Sequence, residues 1–218
     1  MNRPSAQRRT RLDPAERRGL ILDFTADIIA EEGVAALSME RIGRAAGISK
    51  SLVYNYFPNL QMLLSELLER ELRHMRRLQN QAAEGATTFE GLVRAITHVY
   101  LTYIEERGLI IERLQHEPTI SDSHDPTEYG RDAAVDYVTE IVVRHFALPA
   151  DIARAAVDIS FGLPASAGSY LLRHGTGRQQ LEDITVTMIL GAVMALKTEH
   201  MARAQPLAPR ISPSVRGL

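Results

Sequence analysis

The stretch SKSLVYNYF, residues 49–57, decides the fold. It opens on Ser49, a good N-cap residue, and closes against Pro58, which drives the residue before it out of helical geometry. A short helix is therefore predicted from Ser49 to no further than Phe57. Just upstream, AAGI (45–48) supplies a glycine stop, and Ser38 caps a second short helix predicted over Met39 to Ala46. Two such helices joined by Gly47-Ile48-Ser49 have the proportions of a helix-turn-helix. At helical spacing Val53 and Phe57 share one bearing and face a core, with Ile42 and Ile48 plugging the angle between the helices. Small Ala45 and Ala46 are expected to let the helices approach closely.

Ser51, Leu52 and Asn55 then point away from the core, and Tyr54 and Tyr56 flank it. These types suit a major groove. Leucine meets a thymine methyl, asparagine pairs with adenine, serine takes several base edges, and tyrosine hydroxyls reach phosphates. Lys50 can reach a phosphate or a guanine. The competing reading is that Leu52 and Tyr56 pack against the first or fourth helix, and spacing alone leaves both open.

Outward from this segment, nearly everything reads as helix, with no convincing period-2 pattern. The fold class is all-α with about nine helices, predicted at about 14–32, 39–46, 49–57, 60–83, 88–107, 109–117, 126–147, 151–174 and 178–203. Gly33, Gly85, Gly108, Pro118, Pro149 and the Gly175/Gly177 pair punctuate them. The expected organisation is a basic arm (1–12), a helix-turn-helix domain (13–58), a helical ligand-binding and dimerisation domain (59–203) and a disordered tail (204–218).

Charge is uneven along the chain. Net charge is −2, yet residues 1–18 hold six arginines against Asp13 and Glu16. A polyanion is therefore expected to be met at the N-terminal end. Arg8, Arg9 and Arg11 belong either to a solvated tail or to an arm entering the minor groove. Cysteine is absent, which removes disulfides, thiolate metal sites and cysteine nucleophiles and fits a cytoplasmic setting. The N-terminus is polar and Arg-rich, unlike a signal peptide. The longest apolar run, ITVTMILGAVMAL (184–196), is short for a membrane span, so no membrane partner is expected. The segment SDSHDPTEYG (121–130) gathers Asp122, His124, Asp125 and Glu128, but in no compact ligand spacing. It reads as an acidic loop, and no metal or cofactor is expected.

Residues 20–64 resemble the N-terminal domain of TetR-family transcriptional regulators. The matching positions are Gly33, Leu37-Ser38-Met39, Ile42, Ala46-Gly47-Ile48-Ser49, Tyr54 and Phe57. Over residues 65–218 the likeness is architectural only. The resemblance implies a homodimer on double-stranded operator DNA, most simply a repressor, with one ligand pocket per subunit. Expected DNA contacts are Ser38, Arg41, Arg44, Ser49, Lys50, Ser51, Leu52, Tyr54, Asn55 and Tyr56. One departure stands out: the family usually has a lysine three residues after the position of Phe57, where this chain has Leu60.

The last two helices support a dimer independently. ISFGLPASAGSYLL (159–172) and ITVTMILGAVMAL are apolar nearly all round and need covering on most faces. Gly162, Ala165, Gly168, Met188, Gly191 and Ala195 are expected in a four-helix interface about a two-fold axis. Pro164 should kink its helix. For the effector, a small hydrophobic or amphipathic molecule is expected, with His98, Tyr103, Arg113, His116, Tyr137 and Phe161 as candidate contacts. No nucleophile–base pair or phosphate loop suggests catalysis, so the chain is not expected to be an enzyme. The alternatives are a helical enzyme or carrier with a fortuitous helix-turn-helix, or a regulator without a ligand.

Overall fold

A computed structural model describes residues 13–121 and 128–204. The expected arm, the tail from residue 205 and the middle of the acidic segment lie outside the described residues. Helix α1 spans Pro14–Glu32 and leads through a 3-10 turn, Val34–Ala36, to α2 (Met39–Ala45) and α3 (Lys50–Tyr56). There follow α4 (Leu60–Glu84), α5 (Phe89–Gln115), the short α6 (Pro118–Ser121), α7 (Glu128–Phe146), α8 (Ala150–Ser160), α9 (Gly162–His174) and α10 (Arg178–Ala204). Among the described residues every regular element is helical.

Local chemistry sets most of the N-terminal boundaries. Asp13 and Glu16 form a reciprocal capping box at the start of α1, at 2.8 and 2.9 Å. Side-chain oxygens of Ser38, Ser49, Asn59 and Thr88 each accept the backbone N–H three residues on, starting α2, α3, α4 and α5. Gly47, at φ +66°, carries the chain out of α2 in the left-handed region that glycine reaches cheaply.

Two predicted boundaries are overturned. The stretch predicted as two helices, 88–107 and 109–117, is one helix, Phe89–Gln115, running through Gly108. A Cβ there would lie 3.0 Å from Leu172 Cδ1 on α9, so this glycine gives room to a neighbouring helix instead of ending its own. Conversely, the helix predicted over 151–174 is divided at Phe161. Pro164 accounts for the break, because its ring excludes a continuous ladder back to Ser160 and is tolerated in the first turn of α9.

The main apolar core does not stop at the α3–α4 turn. Ile21, Ile29, Ile42, Val53 and Phe57 share one buried cluster with Leu63, Leu64, Leu67 and Leu72 of α4 and with Ile104, Ile111 and Leu114 of α5. On the apolar stripe of α4 sits one carboxylate, Glu71, only 4% exposed. Arg107 of α5 grips it with Nε at 2.9 Å and Nη2 at 2.8 Å, and the Tyr103 hydroxyl donates to it at 2.7 Å. Arg70 extends the network to Asp23 of α1 at 2.7 Å. Burial pushes the Glu71 carboxyl up, but the Arg107 fork, the Tyr103 hydroxyl and the charges of Arg107 and Arg70 outweigh it, leaving the group below the usual carboxylate range. The Tyr103 phenol is raised, first by its own burial and then by Glu71.

Candidate DNA-contacting surface

Helices α2 and α3 meet at a glycine that the sequence reading passed over. A Cβ on Gly43 would lie 3.0 Å from the Ile48 carbonyl oxygen and 3.3 Å from Val53 Cγ2, and the Ile48 N–H donates to the Gly43 carbonyl at 2.8 Å. Close approach was expected from Ala45 and Ala46. Ala45 is exposed and Ala46 half-buried, so the tight contact lies one turn earlier. A glycine directly after the buried Ile42, in the middle of a seven-residue helix that glycine weakens, was the available signal.

Val53 and Phe57 are fully buried and fix which way α3 faces. Lys50, Ser51, Tyr54 and Asn55 lie on its exposed side, while Leu52 and Tyr56 are half-buried. Tyr56 packs partly against the main core, so some of its surface serves the fold. Ser38 and Ser49 spend an oxygen lone pair on capping, which leaves each hydroxyl proton available to an external acceptor. Arg41 is ion-paired with Glu32 at the end of α1, and Arg44 with Glu40 at 3.3 Å. Both pairs are substantially exposed, and surface pairs of this kind are weak enough for a phosphate to compete.

Leu60 is the first residue of α4 and packs against the main core from a half-buried position. Replacing Leu60 with lysine is expected to tighten binding to any duplex and to steepen the log K against log salt slope by about 0.9, one phosphate's worth. A titration at several salt concentrations checks this, and an unchanged slope would place residue 60 away from the backbone.

The candidate ligand contacts do not converge on one place. His98 is exposed and its Nδ1 lies 2.9 Å from Glu182 of α10. Tyr103 belongs to the Glu71 network. Arg113 reaches from α5 to the end of α1, donating to the carbonyls of Ile29 and Ala30, the latter at 2.9 Å. It thus satisfies terminal helix carbonyls. His116 turns back to the Glu112 carbonyl at 2.7 Å. Tyr137 is exposed, and Phe161 is half-buried against a second apolar cluster built on Val135, Val142 and Val157.

Of the six expected interface residues, five lie on an open face. Gly162, Ala165, Met188, Gly191 and Ala195 are exposed, and beyond their own helix backbone no atom of the described residues comes within 4 Å of where a Cβ on Gly162 or Gly191 would stand. Gly168 is a correction: it is buried against α5, where a Cβ would meet Tyr100 Cε1 at 3.1 Å and Ile104 Cγ2 at 3.2 Å. Together with Gly108 it lets α5 and α9 cross closely, so it packs within its own chain.

Residues 21–67 match the family model described as bacterial regulatory proteins, tetR family. The chain is 28% identical over 182 residues to the transcriptional repressor LfrR of Mycolicibacterium smegmatis, covering 82% of this chain and 91% of that one. It is 27% identical over 164 residues to the transcriptional activator FasR of the same organism, covering 73% and 72%. The crystal structure of LfrR from Mycobacterium smegmatis, in complex with proflavine, superposes with a TM-score of 0.59 at 20% identity, covering 81% of this chain and 96% of that one. The domain match covers the helix-turn-helix and the first turns of α4, the two relatives run through most of the chain, and the fold is shared over 81% of it. The protein is a TetR-family transcriptional regulator.

Proposed function

We propose that the protein is a homodimeric repressor that reads an inverted-repeat operator with α3 and releases it when a small hydrophobic or amphipathic ligand binds. The observation that carries this reading is the exposed side of α3. Lys50, Ser51, Tyr54 and Asn55 stand clear of a helix whose opposite side, Val53 and Phe57, is locked into the core. Two copies of that helix must lie about 34–36 Å apart to enter successive major grooves. The open apolar face of α9 and α10 is the surface on which a second copy would dock. Repression is favoured over activation because the relative with the greater coverage is named a repressor.

An apolar effector suits the body of the molecule. Phe89, Phe146 and Phe161 are partly buried around the second apolar cluster, with Phe89 and Phe146 edge to face at 5.1 Å. Thr139 stands on α7 about one helical turn from Val135 and Val142 of that cluster, and its buried hydroxyl meets no hydrogen-bond partner among the described residues. It is a polar handle of the kind apolar pockets carry. LfrR is solved in complex with proflavine, which supports a small-molecule effector here. A ligand shifts the equilibrium only by its differential affinity for the two states, typically ~1–3 kcal/mol in regulators.

Selection from a random duplex pool tests the reading. An inverted repeat should emerge, and a pool that shows no enrichment after several rounds would overturn it. On the selected duplex, Asn55→Ala should relax preference at one base pair per half-site and cost about 1–3 kcal/mol there if Asn55 reads an adenine. Equal weakening on selected and random DNA would remove Asn55 from base reading.

A further inference from the structure

One residue of α1 joins the end of α3 to α4. Arg18 lies on α1, and its guanidinium makes three kinds of contact at once. Nη1 donates to the carbonyl of Tyr56, the last residue of α3, at 2.7 Å. Nε donates to Glu66 Oε1 on α4 at 2.6 Å, and Nη2 donates to the other oxygen of the same carboxylate. The planar face of the group covers the ring of buried Phe57, with Cζ 4.2 Å from its centroid. Helices α1, α3 and α4 are thus joined through one planar ion at the joint where α3 turns into α4.

We infer that Arg18 is a positioning residue for base recognition: it sets the pose of α3 by fixing its carboxyl end to Glu66 on α4. This rests on α3 being the base-reading helix. The geometry favours a positioning role over general stabilisation for two reasons. The Tyr56 carbonyl is one of the terminal groups that a helix leaves without an internal partner, so binding it restrains the helix end directly. The Arg18–Glu66 pair is also partly exposed, at 39% and 28%, so it adds little to global stability. The fork of an arginine fixes direction, and a lysine at the same place keeps the charge but cannot hold Tyr56 and both Glu66 oxygens together.

The test compares wild type, Arg18→Lys and Glu66→Gln on two probes: the duplex that wild type enriches from a random pool, and a random duplex of equal length. Both are titrated well below the melting temperature of every variant. Arg18→Lys should weaken binding to the selected duplex about tenfold, the equivalent of one lost specific base contact, and change random-duplex binding less than about twofold. Glu66→Gln leaves the Tyr56 and Phe57 contacts in place and should shift the same ratio by a smaller factor. Amide exchange at residues 50–57 should quicken in Arg18→Lys while the core of α1 is unchanged. The inference is overturned if both probes weaken together in step with melting temperature, or if selected-duplex binding is unaltered in both variants. Should Arg18→Lys fail to fold, the ratio in Glu66→Gln decides alone. A wild-type protein that enriches no sequence would instead overturn the reading of α3, a distinct failure visible before any variant is made.

Discussion

Glu71→Ala is expected to be the most destabilising single substitution considered for this chain. It would strand Arg107 and the Tyr103 hydroxyl against the apolar seam of α4 and α5, where both now converge on one carboxylate. Removing one partner of a fully buried pair costs about 3–5 kcal/mol. Arg107 keeps 34% of its side chain in water, so its charge is partly screened and the expected loss is about 2–3 kcal/mol. For a chain of this size that is a fall in Tm of about 5–10 °C, measurable by calorimetry at fixed protein concentration. A change under about 2 °C would mean that the network is replaceable by water and carries little stability.

The same carboxylate has a signature in pH. Its folded-state pKa is depressed, so its contribution is present above the unfolded value of about 4.3 and is lost as pH falls through the lower folded value. The wild-type protein should therefore lose stability on acidification below about pH 4 more steeply than Glu71→Gln, which has no proton to take up at that site. Equal acid limbs in denaturant melts would show that Glu71 is not the group responsible.

Met188→Glu should convert the proposed dimer to a monomer. Ile184, Met188, Gly191 and Ala195 fall at helical spacing along one side of α10, and Ile184 and Met188 are 47% and 52% exposed. A glutamate there is neutral for the helix itself, since methionine and glutamate have similar propensity. In a two-fold interface it enters twice, and each desolvated carboxylate costs several kcal/mol. Sedimentation should give a single subunit with unchanged helix content. Affinity for the selected duplex should fall by about 100-fold or more, because two half-sites no longer share one tethered binder. A variant that stays dimeric and binds normally would move the interface off α10.

What the sequence disclosed and what it hid divide along a physical line. The boundaries of α2, α3 and α4 were legible because serine, asparagine, glycine and proline act within a few residues of themselves. The inward side of α3 was legible because Val53 and Phe57 repeat at helical spacing. Gly108 was misread as a stop and Gly168 as an interface residue for one reason: a glycine's signal is identical whether it ends a helix, faces a partner or makes room for Leu172 or Tyr100. Arg18, Arg107 and Arg113 were unreadable, since their partners stand 36 to 84 residues away. Glu71 did leave a trace. It interrupts the leucine stripe of α4 between Leu68 and Leu72, and a carboxylate on an apolar face asks for a cation opposite.

The shared core has a consequence for anyone wishing to transplant the DNA-reading end of this protein onto a relative. A cut at the α3–α4 turn would divide the buried cluster that Ile42, Val53 and Phe57 share with Leu63, Leu64, Leu67 and Leu72 of α4 and with Ile104, Ile111 and Leu114 of α5. The transferable cassette therefore carries α4, whose Glu66 and Arg70 bond to α1, together with the part of α5 through Leu114 that closes the same core.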